Sequence, residues 1–198
     1  MTPTSIFGLP EQAAHERVLL ATDPATGLKA ILAVHSTARG PAFGGCRLWH
    51  YDSELAALND ALRLSQGMSL KNALADLPFG GGKAVILKPQ GTFDRPALFA
   101  AFGRAVQSLQ GAYITAEDVG TSVRDMEWVQ METKYVTGID RALGGGGDPS
   151  PVTALGVYYG MKAAIKQLNP LNRKFSFQVY GYDFMIDESG YPWLIEVN

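Results

Sequence analysis

One cysteine, Cys46, among 198 residues leaves no intramolecular disulfide to form, so the fold must rest on its core. No apolar run approaches the roughly 20 residues that cross a bilayer. The N-terminus lacks a charged stretch leading into an apolar one, the mark of a secretory signal. These absences predict a soluble, cytoplasmic chain with no membrane partner. Charge of one sign is also missing: 17 basic residues stand against 19 acidic ones, with no basic stripe, which argues against nucleic acid as a partner. Charged residues make up only 18% of the chain, too few for a disordered polyelectrolyte. Glycine is what the sequence has in excess. Its 22 copies gather in clusters instead of spreading.

Along the chain, strand-like and helix-like segments alternate. Strands are expected over 17–22 and 28–35, separated by Asp23-Pro24 and Gly27, with a third emerging from a loop that begins at Gly40. Ser53 is a good N-cap for a helix running to about Ala75, with Leu55, Leu58, Leu62 and Ser65 at helical spacing. A short strand follows over 83–87. Asp94 caps a helix that Gly111 ends, Tyr113 to Thr115 forms a strand stub, and Ser122 to Glu132 and Thr153 to Leu168 read as further helices. This alternation predicts an α/β domain over 1–168, a mostly parallel sheet flanked by helices. Val18, Leu20, Ile31, Val34, Leu62, Val85, Ile86, Phe102 and Val106 are its expected core. After Asn169-Pro170 the pattern becomes aromatic and alternating, so 169–198 is expected to be a separate β-hairpin fragment.

The glycine clusters invite a phosphate-binding reading, and the spacing refuses it. A P-loop needs Ser or Thr after Gly-Lys, but Ala84 follows Gly82-Lys83. The Gly-x-Gly-x-x-Gly fingerprint fails because Gly144-x-Gly146 leads to Pro149. What remains is a lysine beside a triple-glycine loop at the mouth of a strand, where a substrate could come close to the backbone. If Lys71, late in the Ser53 helix, enters the same cleft as Lys83, each lowers the other's proton affinity and one becomes a base near neutral pH. Asp118 follows a short strand, a common place for a working carboxylate in α/β proteins. Taken singly, these are more often two surface lysines and a loop-capping aspartate, since most charged residues on glycine loops do nothing chemical.

Three stretches taken together carry more: Gly40-Pro41-Ala42-Phe43-Gly44-Gly45-Cys46-Arg47, Leu62 to Ala73 with Gly67-Met68-Ser69-Leu70-Lys71-Asn72, and Gly80-Gly81-Gly82-Lys83-Ala84-Val85-Ile86. With Thr115 to Thr121 and Gly147 to Ala154, they resemble the glutamate/leucine/phenylalanine/valine dehydrogenase family from about His15 to Leu168, closest to its leucine, valine and phenylalanine branch. The resemblance implies NAD-dependent oxidative deamination of a branched-chain or aromatic L-amino acid. It implies Lys71 on the substrate α-carboxylate with the Gly44-Gly45 backbone alongside, and Lys83 and Asp118 as catalytic groups. Asp148 and Thr153 would touch the cofactor. Leu48, Met68 and Val152 could line the substrate pocket, though apolar residues at such places are more often plain core. No extra cation is in view for an acidic substrate. The Rossmann-type domain that would hold most of NAD is expected to be missing from this chain, leaving it inactive alone. A homo-oligomer is expected, with Cys46 or the tail as possible sources of adventitious association.

In the tail, a two-residue turn at Ser189-Gly190 sets Asp183 opposite Glu196, with Asn198 on the same face. Facing carboxylates are destabilising unless a cation separates them, and such oxygens suit Mg²⁺. A solvated acidic face is the alternative. This segment resembles the Mg-binding hairpin of tubulin–tyrosine-ligase-type ATP-grasp ligases, which implies Mg and ATP as ligands and Asp183, Glu196 and Asn198 as metal ligands. Three functions are thus open: the substrate half of a dehydrogenase, a fragment of an ATP-dependent ligase, or a non-catalytic module that binds an amino acid or oligomerises.

Overall fold

The computed structural model describes residues 14–168 and three later strands, with side chains described from 14 to 166. Two compact units divide the chain, Met1–Asp148 and Pro149–Asn198. The first holds strands β1 (Arg17–Asp23), β2 (Leu28–Ser36), β3 (Ala42–Trp49), β4 (Gly80–Leu87) and β5 (Tyr113–Glu117), with helices α1 (Glu54–Leu74), α2 (Arg95–Ser108) and α3 (Val123–Gln130). The caps behave as their chemistry dictates: Ser53 accepts from the Ala56 N–H, Asp94 from Ala97, and Ser122 and Asp125 form a capping box.

The five strands lie in the order β1-β2-β4-β3-β5. β2 runs antiparallel to both β1 and β4, and β3 runs parallel to β4 and β5. The sheet is therefore mixed, where the alternating pattern suggested a mostly parallel one. The β1–β2 turn is short enough for a hairpin, and short turns force antiparallel neighbours. Only the βαβ crossover from β3 through α1 to β4 imposes parallel pairing there.

Each sheet face has its own core. On one, Leu32, Val34, Cys46, Leu48, Ala84 and Ile86 pack with Leu98, Phe99, Phe102 and Val106 of α2 and Met126 and Val129 of α3. On the other, Ile31, Ala33 and Val85 meet Ala57, Leu58, Ala61 and Leu62 of α1. Leu20 departs from the expected core and is 61% exposed. It pairs with Ile31 on edge strand β1, beyond the part of the sheet that α1 covers. Val18 is half-buried against the α1 cluster, and the other seven expected core residues are buried.

The triple glycine is part of β4, not the loop its composition suggests. A Cβ on Gly81 would run into the Ser69 N–H and hydroxyl and the Ser65 carbonyl of α1; one on Gly82 would lie 2.6 Å from the Tyr113 ring. These glycines therefore let helix and aromatic ring reach the strand. Gly67, midway along α1, meets nothing within 4 Å of a built Cβ and has no positive φ. Gly67→Ala should stabilise the fold by about 0.5–1 kcal/mol, because alanine loses less backbone freedom in a helix. A rise in the denaturant midpoint at unchanged slope checks this.

In the second unit, helix α4 (Ser150–Leu168) starts three residues earlier than the pattern suggested. Proline is tolerated in a first turn, and the Thr153 N–H already bonds the Pro149 carbonyl. Strands β6 (Phe175–Val179), β7 (Tyr182–Ile186) and β8 (Pro192–Val197) form an antiparallel sheet in sequence order. Asp183 does pair with Glu196, but Ile186 pairs with Pro192 and the register shifts between Asp183 and Phe184. The ladder is thus not the uniform one that a two-residue turn would set. Ser189, Gly190 and Asn198, and the side chains of Asp183 and Glu196, lie outside the described residues.

Candidate active site

Lys83 projects from β4 on the face that α1 covers. Asp118 stands one residue past β5, two strands away. Gly45 of β3 lies between them: a Cβ there would come 2.8 Å from the Asp118 Cβ and overlap the Glu117 carbonyl. Without that side chain Asp118 leans over β3, and the Lys83 Nζ lies 3.0 Å from its Oδ2. A turn fixes the carboxylate from below. The Thr121 hydroxyl accepts from the Asp118 N–H at 2.8 Å, the Thr121 N–H donates back to the Asp118 carbonyl, and Gly120 takes φ +81°, which a type II turn demands. A Cβ on Gly120 would overlap the Leu48 carbonyl, so the turn also sits tightly on β3.

Lys83 is 5% exposed, and burial pulls its ammonium below the ordinary lysine range, with Asp118 opposing and Arg47 assisting. Burial alone would raise the Asp118 carboxyl, but Lys83 and Arg47 together outweigh it and hold it below the usual carboxylate range. The pair is a buried amine with reduced proton affinity beside a firmly ionised carboxylate. Such a couple can bind and move a proton.

Arg47 was not singled out in the sequence. Its Nε donates to Asp118 Oδ2 at 3.0 Å, so it is the second cation at the carboxylate and the one acting on Lys83, the part that spacing had suggested for Lys71. Position 47 directly follows Gly44-Gly45-Cys46. Its alternation with Gly45 along β3, on the face of Lys83, is the signal that could have found it.

The other expected residues distribute as follows. Lys71 is exposed in the last turn of α1, where a cation also suits the helix dipole. Met68, one turn earlier, is half-buried, and a Cβ on Gly44 would approach its Cγ to 3.1 Å. Gly44 and Gly45 are buried in β3, with Tyr113 Oη donating to the Gly44 carbonyl at 2.7 Å. Leu48 turns into the main core, the plain-core alternative. Asp148 is exposed beyond the glycine loop and acts on Glu117, whose carboxyl is raised by burial first and by Asp148 second. Thr153 and Val152 belong to α4 in the second unit. Cys46 is fully buried, and burial pushes its thiol well above the ordinary range, so it does not serve as the surface contact the sequence allowed. The native chain should react with a thiol-specific disulfide reagent only as fast as it unfolds; equal rates with and without denaturant would contradict this.

The glycine loop over 144–147 does not cradle phosphate. Its Gly144, Gly145 and Gly147 N–H groups bond to the loop's own Arg141, Asp140 and Ile139 carbonyls, and Asp148 follows them with a negative charge. This loop therefore fits the phosphates of a dinucleotide poorly. Among them no group of three or more potential metal-ligating side chains occurs.

A family model described as Glu/Leu/Phe/Val dehydrogenase, dimerisation domain, matches residues 15–135. A second, described as Tubulin-tyrosine ligase family, matches only 155–198. The leucine dehydrogenase of Geobacillus stearothermophilus is 54% identical over 162 residues, 82% of this chain and 44% of that protein. The chain thus spans less than half the length of that curated relative. Among solved structures, the L-tryptophan dehydrogenase of Nostoc punctiforme superposes with a TM-score of 0.63 at 43% identity, covering 78% of this chain and 43% of that one. The hetero-hexameric glutamate dehydrogenase of Thermus thermophilus, in a form described as Leu-bound, gives 0.62 at 25% identity over 80% of this chain and 42% of that one.

Proposed function

The chain belongs to the Glu/Leu/Phe/Val dehydrogenase family, and on that premise we propose that residues 15–168 are the substrate-binding half of an NAD-dependent amino-acid dehydrogenase. The observation that carries this reading is the buried Lys83 Nζ held 3.0 Å from Asp118. A bound NAD would supply the oxidant, as acceptor of the hydride lost from the substrate Cα. In this chain Lys71 holds the α-carboxylate beside the Gly44-Gly45 backbone, with Met68 against the side chain. Asp118 takes a proton from the substrate amino group. Lys83, its proton affinity reduced by burial, removes a proton from the water that attacks the resulting imine carbon, and ammonia then leaves. Asp148 and Thr153 are each proposed as cofactor contacts on the likeness to the dehydrogenases alone.

The branched-chain or aromatic preference rests on the likeness to a leucine and a tryptophan dehydrogenase. Assembly into homo-oligomers through this unit rests on the family description of a dimerisation domain. A change of ancestry near residue 170 rests on the shift to an aromatic, alternating pattern there and on the short second family match, which begins earlier, at residue 155. The test is NADH formation with leucine, valine, phenylalanine and tryptophan, beside calorimetric titration of the same amino acids. Turnover or binding that is lost on Lys83→Ala or Lys71→Ala supports the reading. Neither turnover nor binding of any of the four would end it.

A further inference from the structure

We propose that Arg47 is a positioning residue that clamps Asp118 from the side, itself clamped from behind by Asp60 and Tyr51, so that only one oxygen of Asp118 is left for substrate. The proposal rests on the reading of Lys83 and Asp118 as the reacting pair. Arg47 uses two edges of its guanidinium at once. Nε donates to Asp118 Oδ2 at 3.0 Å, and Nη1 donates to Asp60 Oδ2 at 2.9 Å. Tyr51 Oη donates to that same Asp60 oxygen at 2.6 Å, and Asp60, on α1, is 13% exposed. A chain of three side chains, Tyr51 from the β3–α1 connection, Asp60 from α1 and Arg47 from β3, thus leads to the carboxylate that Lys83 also holds, and only Arg47 touches it.

The choice of oxygen is the informative detail. Lys83 Nζ and Arg47 Nε both converge on Oδ2. Oδ1 accepts no hydrogen bond among the described residues. A carboxylate gripped on one oxygen by two cations cannot rotate freely, and its other oxygen keeps a fixed direction toward an incoming ammonium group. Arginine is suited to this because its planar fork reaches two carboxylates at once, whereas an ammonium is a point charge. The ionisable groups acting on Lys83 are Asp118, Arg47 and the Cys46 thiol, so Arg47 is the neighbouring cation that also disfavours a proton on Lys83. Arg63, also on α1, touches the other Asp60 oxygen at 3.4 Å and is largely exposed, so it steadies Asp60 without reaching the pair.

The experiment reads Lys83 itself, in the full chain and without NAD or amino acid, so its outcome is independent of turnover. The rate of acetylation of each lysine by acetic anhydride is followed against pH by peptide mass spectrometry. In Arg47→Gln the apparent pKa of Lys83 should rise, so that its labelling at pH 8 slows by about tenfold. Lys29 and Lys88 should label as before, which distinguishes a local change from unfolding. Arg47→Lys should recover less than half of the shift, because it cannot bridge Asp60 and Asp118. Should Arg47→Gln fail to fold, Arg47→Gln with Asp60→Asn removes the partly buried charges together and should give the same rise. An unchanged Lys83 titration overturns the proposal, and so does full recovery by Arg47→Lys, which would reduce Arg47 to a charge without a clamp.

Discussion

If the proposed deamination is the reaction, Lys83→Met should abolish most turnover and leave the fold intact, whereas Asp118→Ala should damage both. The asymmetry follows from who is left unpaired. Methionine fills the buried stem of Lys83, and Asp118 keeps its Arg47 partner, so no charge is stranded. Lys83 also has its ammonium pulled below the ordinary lysine range by burial. A lysine so shifted weakens the folded state at pH values below its folded pKa, and stability rises with pH from there to the unfolded pKa. Lys83→Met removes that rise and should keep stability within about 1 kcal/mol of the parent. Turnover should fall by about 10²–10⁴-fold, the usual share of a positioned general base. Asp118→Ala instead leaves two cations facing each other near β3 with nothing between them. A loss of about 3 kcal/mol is expected, as when one partner of a buried pair is removed. The parent should show the matching acid limb. Asp118 is held below its ordinary value, so its contribution is complete above about pH 4 and disappears as pH falls through the folded pKa. Denaturant titrations of both variants across pH check these signs. Equal destabilisation by the two changes would show that Arg47 does not hold Asp118.

Gly81→Ala should cost about 3 kcal/mol of stability, at the upper end for one added methyl group in a packed interior. The added carbon meets the Ser69 N–H and the Ser65 carbonyl, atoms of the α1 backbone that no rotamer change can move. The helix must back away from β4, and three contacts stand on that approach. Asn72 Nδ2 donates to the Gly80 carbonyl at 2.6 Å, the Ser69 hydroxyl meets His35 Nδ1 at 2.8 Å, and Met68 faces Gly44. Amino-acid binding should therefore weaken together with stability, since Lys71 lies on the same turns. Gly67→Ala, fourteen positions earlier and a gain by the argument above, is the control. A Gly81→Ala chain as stable as the parent would mean that α1 is not seated on this strand as described.

The comparison of these two glycines shows where sequence reading reached its limit. In composition they are alike, each preceding a residue of the site region. Gly67 is dispensable and Gly81 is not, because only Gly81 has another segment's backbone within van der Waals reach. The cluster over 80–82 looked like a loop open to substrate for the same reason: a run of glycines disfavours a strand locally, and the helix that requires it lies elsewhere in the chain. Leu20 was misplaced by a similar route. Its alternation was correct, but how far α1 extends across the sheet decides whether that face is covered.

Local rules did carry much of the fold. Ser53, Asp94 and Ser122 each began a helix where a capping side chain should, because the acceptor they supply is needed within three residues. The lysine-bearing motifs gave the family, as the match over residues 15–135 bears out. Chain order could not tell that β2 runs antiparallel to β4, nor that Gly45 leaves a gap through which Asp118 reaches Lys83 across β3. It could not tell that the second cation at that carboxylate is Arg47 and not Lys71. The sequence by itself determined the elements, the lineage and the chemically active residue types, since these depend on neighbours a few positions away. Only the tertiary structure decided which charges meet, because the ion pair between residues 83 and 118 depends on three strands lying side by side.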